Sequence, residues 1–133
     1  LREAMAGADI RQTDGGEMAL SIAPPEPRRG ELLIDPSYEV KTAFAAMPKL
    51  LAQLHRKWPV GVLMLWYPVL ASGAEAGLVA AVEALGGDVL HHRVSFAPAR
   101  PGHGMIGSGM VVVNPTWGLD TAAAEIARVI DGR

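Results

Sequence analysis

Blocks of helical spacing alternate with continuous apolar runs along this chain. Between residue 41 and about residue 58 the apolar positions recur every three or four residues, which is typical of an amphipathic helix. Residues 60–66 are apolar except for Gly61, and they predict a central strand with both faces covered. Helical spacing returns at residues 74–85, where the glycines at 86–87 provide a helix stop.

Shorter elements complete the order. They are predicted as a strand at residues 8–13, a helix at 17–22, a strand at 31–34, strands at 88–96 and 110–113, and a helix at 119–130. No helix separates the last two strands, so we expect them to pair as an antiparallel hairpin. The order predicts a three-layer α/β sheet, mostly parallel, that ends in an antiparallel strand pair.

Composition limits the chain to one domain. Half of its 133 residues are hydrophobic, which is enough for a single core. The formal net charge of −2 gives no long-range attraction for phosphates, so nucleic-acid binding requires local patches or other parts of the protein. The chain has no cysteine, and no apolar run reaches the ~18 residues of a membrane span. We therefore expect a soluble, cytoplasmic protein with no membrane partner.

The segment Asp35-Pro36-Ser37-Tyr38 carries the most specific chemistry. It follows the predicted strand at 31–34, and open α/β sheets keep their active sites at such strand ends. The Asp35 carboxylate and the Pro36 carbonyl are two acceptors that could hold the two N–H bonds of an aromatic amine and direct its lone pair at an electrophile. Tyr38 provides a ring on which an unstacked base could lie. Asp35 could also accept the released proton, and the sequence does not decide this.

A second segment of the same shape, Asn114-Pro115-Thr116-Trp117, is a rival. Both segments could also be ordinary turns, because Asp and Asn before Pro open turns frequently. We favour Asp35 because a helix and three more strands follow it, which places it mid-sheet, whereas Asn114 follows the last, antiparallel strand.

Four segments together give the chain a family resemblance. They are Gln12-Thr13-Asp14-Gly15, then Arg28-Arg29-Gly30 leading into Leu33 through Glu39, then Leu65-Trp66-Tyr67-Pro68-Val69, and Ser108-Gly109-Met110 through Asn114-Pro115-Thr116-Trp117. In this order and spacing the chain resembles the C-terminal part of the catalytic domain in the bacterial 23S ribosomal RNA (adenine-N6)-methyltransferase family. Ser37 departs from the more usual double proline and puts the rate, rather than the identity, in doubt.

The resemblance implies a Rossmann-like methyltransferase whose N-terminal, cofactor-binding strands lie outside this chain. Residues 1–133 are then the C-terminal part of one catalytic domain. The chain starts with Leu1 in what reads as a continuing helix, so we expect the natural polypeptide to begin further upstream. The implied cofactor is S-adenosylmethionine without a metal, the implied partner is 23S ribosomal RNA, and the full-length protein is expected to be a monomer.

The resemblance also assigns roles. Asp35, Pro36 and Tyr38 are catalytic, and Asp14, Gly15 and Asp35 bind the cofactor, with Asp14 accepting from its adenine amine. The pattern alone favours a simpler role for Asp14, as the N-cap of the helix that follows. Two other functions stay open: methylation of adenine N6 in DNA, and a non-catalytic α/β interaction module.

Basic and histidine residues give weaker signals. His91 and His92 are adjacent on a predicted strand and face opposite sides, so they cannot chelate one metal. Phosphate contacts are conceivable for a few cations, although such residues are usually only solvated: Arg28, Arg29, Arg93, Arg100 and His103.

Overall fold

The computed structural model describes residue 5 and residues 7–98 and 100–130. These residues form the elements α1 (Gly15–Ile22), β1 (Glu31–Ile34), α2 (Ala43–Lys57), β2 (Val62–Leu70), α3 (Ala76–Glu83), β3 (Val89–Ser95), β4 (Met105–Val113) and α4 (Leu119–Ile130). The four predicted helices are present, and the predicted α/β alternation is confirmed from α1 onward. The helical pattern at the very start of the chain falls largely on residues outside those described.

The four strands form one mixed sheet in the order β1-β2-β4-β3. The mid-sheet position predicted for Asp35 is therefore wrong for the described strands, because β1, which precedes Asp35, is an edge strand and β4, which precedes Asn114, is central. β1 pairs with β2 in parallel, whereas β4 is antiparallel to both β2 and β3. The predicted closing antiparallel pair is therefore present. A mostly parallel sheet is not confirmed, because one reversed strand inserted between β2 and β3 creates two antiparallel pairs among the three described.

The strand predicted at residues 8–13 is wrong, since these residues form no strand. A strand is held by hydrogen bonds to a neighbour, and none of the four described strands pairs with this segment. Asp9 and Arg11, two positions apart, instead form an exposed ion pair with each other at 2.6 Å. None of the described strands therefore lies beside this segment as a neighbour in the sheet.

One face of the sheet carries the main core. Alternate residues of β2 on this face are fully buried, and they pack with buried residues of α2 and α3: Leu63, Leu65, Tyr67, Val69, Leu51, Leu54, Leu78 and Val82. Burying an aliphatic side chain of this size contributes about 1.5–3 kcal/mol. On the opposite face Val62, Met64 and Trp66 are only half-buried. The prediction that both faces of β2 are covered is thus confirmed for one face.

Close packing explains why β4 begins at Met105 rather than at the predicted residue 110. The extra residues include Gly107 and Gly109, which weaken a strand pattern in the sequence. A Cβ atom at Gly109 would lie 2.0 Å from Cζ of Tyr67, and one at Gly107 would lie 2.5 Å from the Val94 carbonyl oxygen. These glycines therefore leave the space that the Tyr67 ring and the neighbouring strand occupy.

Candidate active site

A groove of about 440 Å³ lies between α1, β1 and α2. Its polar rim contains Asp14 and Gly15 at the start of α1, and Asp35 and Pro36 directly after β1. The floor and walls are mostly apolar and include Leu32, Ile34, Met47 and Leu50. Two segments that the sequence marked separately thus line one concave site, and an apolar groove with a few convergent polar groups is the usual form of a small-molecule site.

Asp14 caps α1, as the pattern alone predicted. Its Oδ1 accepts a hydrogen bond from the Glu17 backbone N–H at 2.8 Å. Within the described part of the chain its second oxygen, Oδ2, accepts no hydrogen bond. The neighbouring Gly15 is equally open, because a Cβ atom there would meet no heavy atom within 4 Å. The cap therefore uses Oδ1 of Asp14. Its Oδ2 and the open backbone of Gly15 remain at the groove.

Asp35 lies exposed at the carboxyl end of β1. Ile34 is paired with Leu65, so Asp35 lies level with Trp66 of the neighbouring strand. Among the described residues the Asp35 carboxylate forms no ion pair or side-chain hydrogen bond. Its acceptor capacity is free for a group that enters the groove.

Tyr38 lies beside the groove rather than in its lining. Its hydroxyl donates to the Trp66 carbonyl oxygen at 2.7 Å, and its ring packs against Phe44 with centroids 4.6 Å apart. Burial raises the pKa of the Tyr38 hydroxyl well above its ordinary value, and the negative charge of Asp35 raises it further. The hydroxyl therefore stays protonated and holds the ring in a fixed position, while base stacking on that ring stays a prediction.

Trp66 forms two separate hydrogen bonds beside the groove. Its indole N–H donates to Oγ of Ser108 at 2.8 Å, and its backbone carbonyl accepts from the Tyr38 hydroxyl. Sequence reasoning missed this role for Ser108, and it missed the Phe44 contact. Ser108 occurs in one of the family-like segments, and Phe44 belongs to the apolar spacing of α2, but neither signal specifies a contact.

For the methyl transfer that the sequence resemblance implies, we expect Tyr38→Phe in the full-length protein to lower kcat by less than about tenfold. The substitution keeps the ring and removes one neutral hydrogen bond, worth about 1 kcal/mol. Steady-state kinetics with RNA as the varied substrate would measure the change. Ser108→Ala is the matched control for indirect positioning, since it leaves the Tyr38 side chain intact. A loss above a hundredfold in Tyr38→Phe would contradict a positioning role for the hydroxyl.

The rival Asn114 lies away from this groove. Val113 is paired with Leu63, so Asn114 lies near the amino-terminal end of β2, whereas Asp35 lies level with Trp66. The Asn114 side-chain amide donates to the carbonyl oxygens of Pro59 and Gly61 at 2.7 and 3.0 Å. Its backbone is in the left-handed region with φ 55°, which Asn tolerates better than most residues. The Asn114 side chain thus connects the end of β4 to the backbone just before β2.

Asn114→Ala is expected to lower the free energy of unfolding by about 1–2 kcal/mol, because two hydrogen bonds and a residue suited to positive φ are removed. Chemical denaturation would measure it. Asn114→Gly separates the two causes, since glycine accepts positive φ without strain. Neither variant should change kcat for the activity that the sequence resemblance implies, and a large loss of that activity in the folded glycine variant would return Asn114 to the catalytic candidates.

The other signals lie elsewhere. Arg28 and Arg29 precede β1, at the edge of the sheet opposite Asp35, where the Arg28 carbonyl accepts from the Trp58 indole at 2.8 Å. His91 is hydrogen-bonded through Nε2 to the Tyr67 hydroxyl. No group of three or more His, Cys, Asp or Glu side chains in the described ranges is placed to hold a metal ion. In those same ranges no helix has the length and apolar character needed to cross a membrane.

Comparison with known proteins shows the family of the chain. The family model described as "RsmJ: Ribosomal RNA large subunit methyltransferase D, RlmJ" matches residues 1–133. The chain belongs to this family. The resemblance drawn from the four sequence segments is confirmed.

Two curated members of this RlmJ family show the extent of the match. Ribosomal RNA large subunit methyltransferase J of Escherichia coli (strain K12) is 34% identical over 114 residues, which cover 85% of this chain and 41% of that protein. The protein of the same name from Haemophilus influenzae (strain ATCC 51907 / DSM 11121 / KW20 / Rd) is 32% identical over 118 residues, covering 88% of this chain and 42% of that protein. The chain spans about two fifths of the length of these relatives.

The fold is also found in a solved structure. Protein LPL1258 from Legionella pneumophila str. Philadelphia 1 superposes with a TM-score of 0.80 and 24% identity over 88% of this chain and 43% of that one. This likeness shows the fold alone. The small α/β domain with its mixed sheet is consistent with the methyltransferase family whose model matches the chain.

Proposed function

We propose that this chain is the C-terminal part of an enzyme that transfers a methyl group from S-adenosylmethionine to the N6 amine of an adenine in 23S ribosomal RNA. The observation that carries the proposal is the single groove lined by both Asp14-Gly15 and Asp35-Pro36. Family membership supports ribosomal RNA of the large subunit as the substrate class. We propose further that the full-length protein acts in the cytoplasm as a monomer.

The groove fits the adenosine end of the cofactor. The free Oδ2 of Asp14 is an acceptor for an exocyclic adenine amine, and the open backbone at Gly15 permits a flat ring to approach closely. The apolar side chains of Met47 and Leu50 offer a surface for that ring. When bound, S-adenosylmethionine supplies an electrophilic methyl group. The rest of its site is proposed to lie in sequence upstream of this chain.

The second rim segment is proposed to hold the target. The exocyclic amine of adenine is a weak nucleophile, because its lone pair is delocalised into the ring. The Asp35 carboxylate and the Pro36 carbonyl accept its two N–H bonds and so favour a pyramidal nitrogen with the lone pair directed at the methyl group. The fixed φ of Pro36 holds its carbonyl in place, and the anchored ring of Tyr38 supports the unstacked base.

Methylation assays with the full-length protein test the proposal. Labelled methyl groups should pass from S-adenosylmethionine to 23S ribosomal RNA that lacks the modification, and digestion should recover N6-methyladenosine. Duplex DNA is the competing substrate, because the chemistry at Asp35 would serve adenine in either polymer. Transfer to DNA alone would replace the RNA proposal, and failure of the full-length protein to bind S-adenosylmethionine would leave a non-catalytic interaction module.

A further inference from the structure

The hairpin that joins β3 to β4 extends beyond the candidate active site. Met105 is paired with Leu70, whereas Ile34 is paired with Leu65. β2 therefore continues about 16 Å past the level of Ile34 before the hairpin tip is reached, at ~3.3 Å per residue. We define the hairpin tip as residues 96–98 and 100–104. It lies at the same edge of the sheet as Asp35 and, with the strand spacing included, about 20 Å from it.

The hairpin tip exposes an arginine, a histidine and an aromatic ring. Arg100 and His103 are exposed, and the Phe96 side chain is 40% exposed. Residues 96–104 contain no acidic residue. In the part of the chain that the structure describes, neither Arg100 nor His103 has an ion-pair partner. Arg93 differs, because its guanidinium faces the buried Glu75 at 4.0 Å and its charge is already partly balanced.

Backbone hydrogen bonds connect the hairpin tip to the sheet. The Phe96 N–H donates to the Ile106 carbonyl at 3.0 Å, and the Ala71 N–H donates to the Gly104 carbonyl at 2.8 Å. A third bond, 3.1 Å long, runs from the His103 N–H to the Arg100 carbonyl within the tip. These bonds fix the backbone of the tip, which lowers the entropy cost of binding a partner.

We propose that the hairpin tip binds RNA that flanks the target adenine, with Arg100 and His103 at phosphates and Phe96 against a base. The inference rests on the proposed function and extends it to a second contact on the same substrate. The hairpin tip lies at the edge of the sheet that an RNA strand approaches when its adenine enters the groove at Asp35. Basic side chains contact phosphates and aromatic rings stack on unpaired bases, and with a charge of −2 over these 133 residues the chain can attract phosphates only through local patches of this kind.

Equilibrium binding of the full-length protein to protein-free 23S ribosomal RNA, measured across a series of salt concentrations, tests this. Arg100→Ala combined with His103→Ala should reduce the slope of log Kd against log salt by about 0.7 for each phosphate that the variant no longer neutralises. Phe96→Ala should weaken binding about five- to hundredfold with little change in slope. Arg56→Ala is the matched control, since Arg56 is exposed in the last turn of α2, at the opposite edge of the sheet.

The outcomes separate this inference from the proposed function. Unchanged affinity and slope in both hairpin variants, with methyl transfer to RNA intact, would overturn the hairpin proposal alone and would favour a protein partner for the tip. An equal loss in the Arg56 variant would overturn it too, because the effect would then reflect total charge. Reduced affinity in the hairpin variants without methyl transfer by the wild type would sustain the RNA contact and count against the proposed reaction.

Discussion

Replacing Asp35 with alanine in the full-length protein is expected to lower kcat for the proposed methyl transfer about 10²–10³-fold. The carboxylate is free of partners in the described structure and lies at the groove beside Pro36. Its proposed work, holding the amine with its lone pair exposed, is needed most in the transition state, so the loss should fall on kcat rather than on RNA affinity. Single-turnover methyl transfer, with RNA binding measured separately, checks this.

Asp35→Asn distinguishes the two roles that the carboxylate could play. Asparagine keeps a hydrogen-bond acceptor but cannot take up the released proton. If Asp35 acts as an acceptor that orients the amine, Asp35→Asn should retain activity within about tenfold of the wild type. If Asp35 must remove the proton, Asp35→Asn should be as inactive as Asp35→Ala. Glu39→Gln, which neutralises an exposed carboxylate in the same loop, is the matched control. Full activity in Asp35→Ala would remove Asp35 from the catalytic residues.

The elements that the sequence predicted well are those whose pattern is set by local spacing. α4 was predicted with its observed ends. α2 was predicted within two residues, because its apolar positions recur every three or four residues. β1 and Asp35 were located together, since a short apolar run before Asp-Pro both ends a strand and opens a turn. Where the partner is a neighbour in sequence, the pattern is sufficient.

Features that depend on distant partners could not be predicted. Residues 8–13 were predicted as a strand, but a strand exists only where another strand pairs with it. The opposite error occurred at Gly109, where low strand propensity hid a position that must lack a side chain because the Tyr67 ring lies 42 residues away in sequence but in contact in space. The hydrogen bond from Trp66 to Ser108 is a contact of the same kind. Each of these features can be predicted only once the pairing of the strands is known.

The candidate site was predicted in its parts but not as a site. Asp14 and Asp35 were both marked, and the sequence offered no reason for them to face one groove except family resemblance. The structure supplies that reason, because α1 and α2 pack against each other and line the groove together with β1. It also shows that the two roles considered for Asp14 do not compete, since the cap occupies Oδ1 alone.

The second large expected effect follows from the different contacts of the two carboxylate oxygens of Asp14. Asp14→Asn should weaken S-adenosylmethionine binding about ten- to hundredfold while the free energy of unfolding changes by only a few tenths of a kcal/mol. An amide has one acceptor oxygen. If that oxygen keeps the hydrogen bond from the Glu17 N–H, the NH₂ group replaces Oδ2 and presents donors to the donor amine of the cofactor. Calorimetric titration with S-adenosylmethionine and chemical denaturation measure the two quantities on the same full-length protein.

Asp14→Ala and Glu17→Gln complete the comparison. Asp14→Ala removes both oxygens, so it should lose the cofactor affinity and also about 1 kcal/mol of stability from the missing cap. Glu17→Gln neutralises an exposed carboxylate in the same helical turn and should leave cofactor affinity within about twofold, because its side chain does not line the groove. Normal cofactor affinity in a stable Asp14→Asn protein would show that Asp14 is a cap and nothing more. If cofactor affinity instead falls in step with the free energy of unfolding across all three variants, the effect comes from the helix. A cofactor contact requires Asp14→Asn to lose affinity without losing stability.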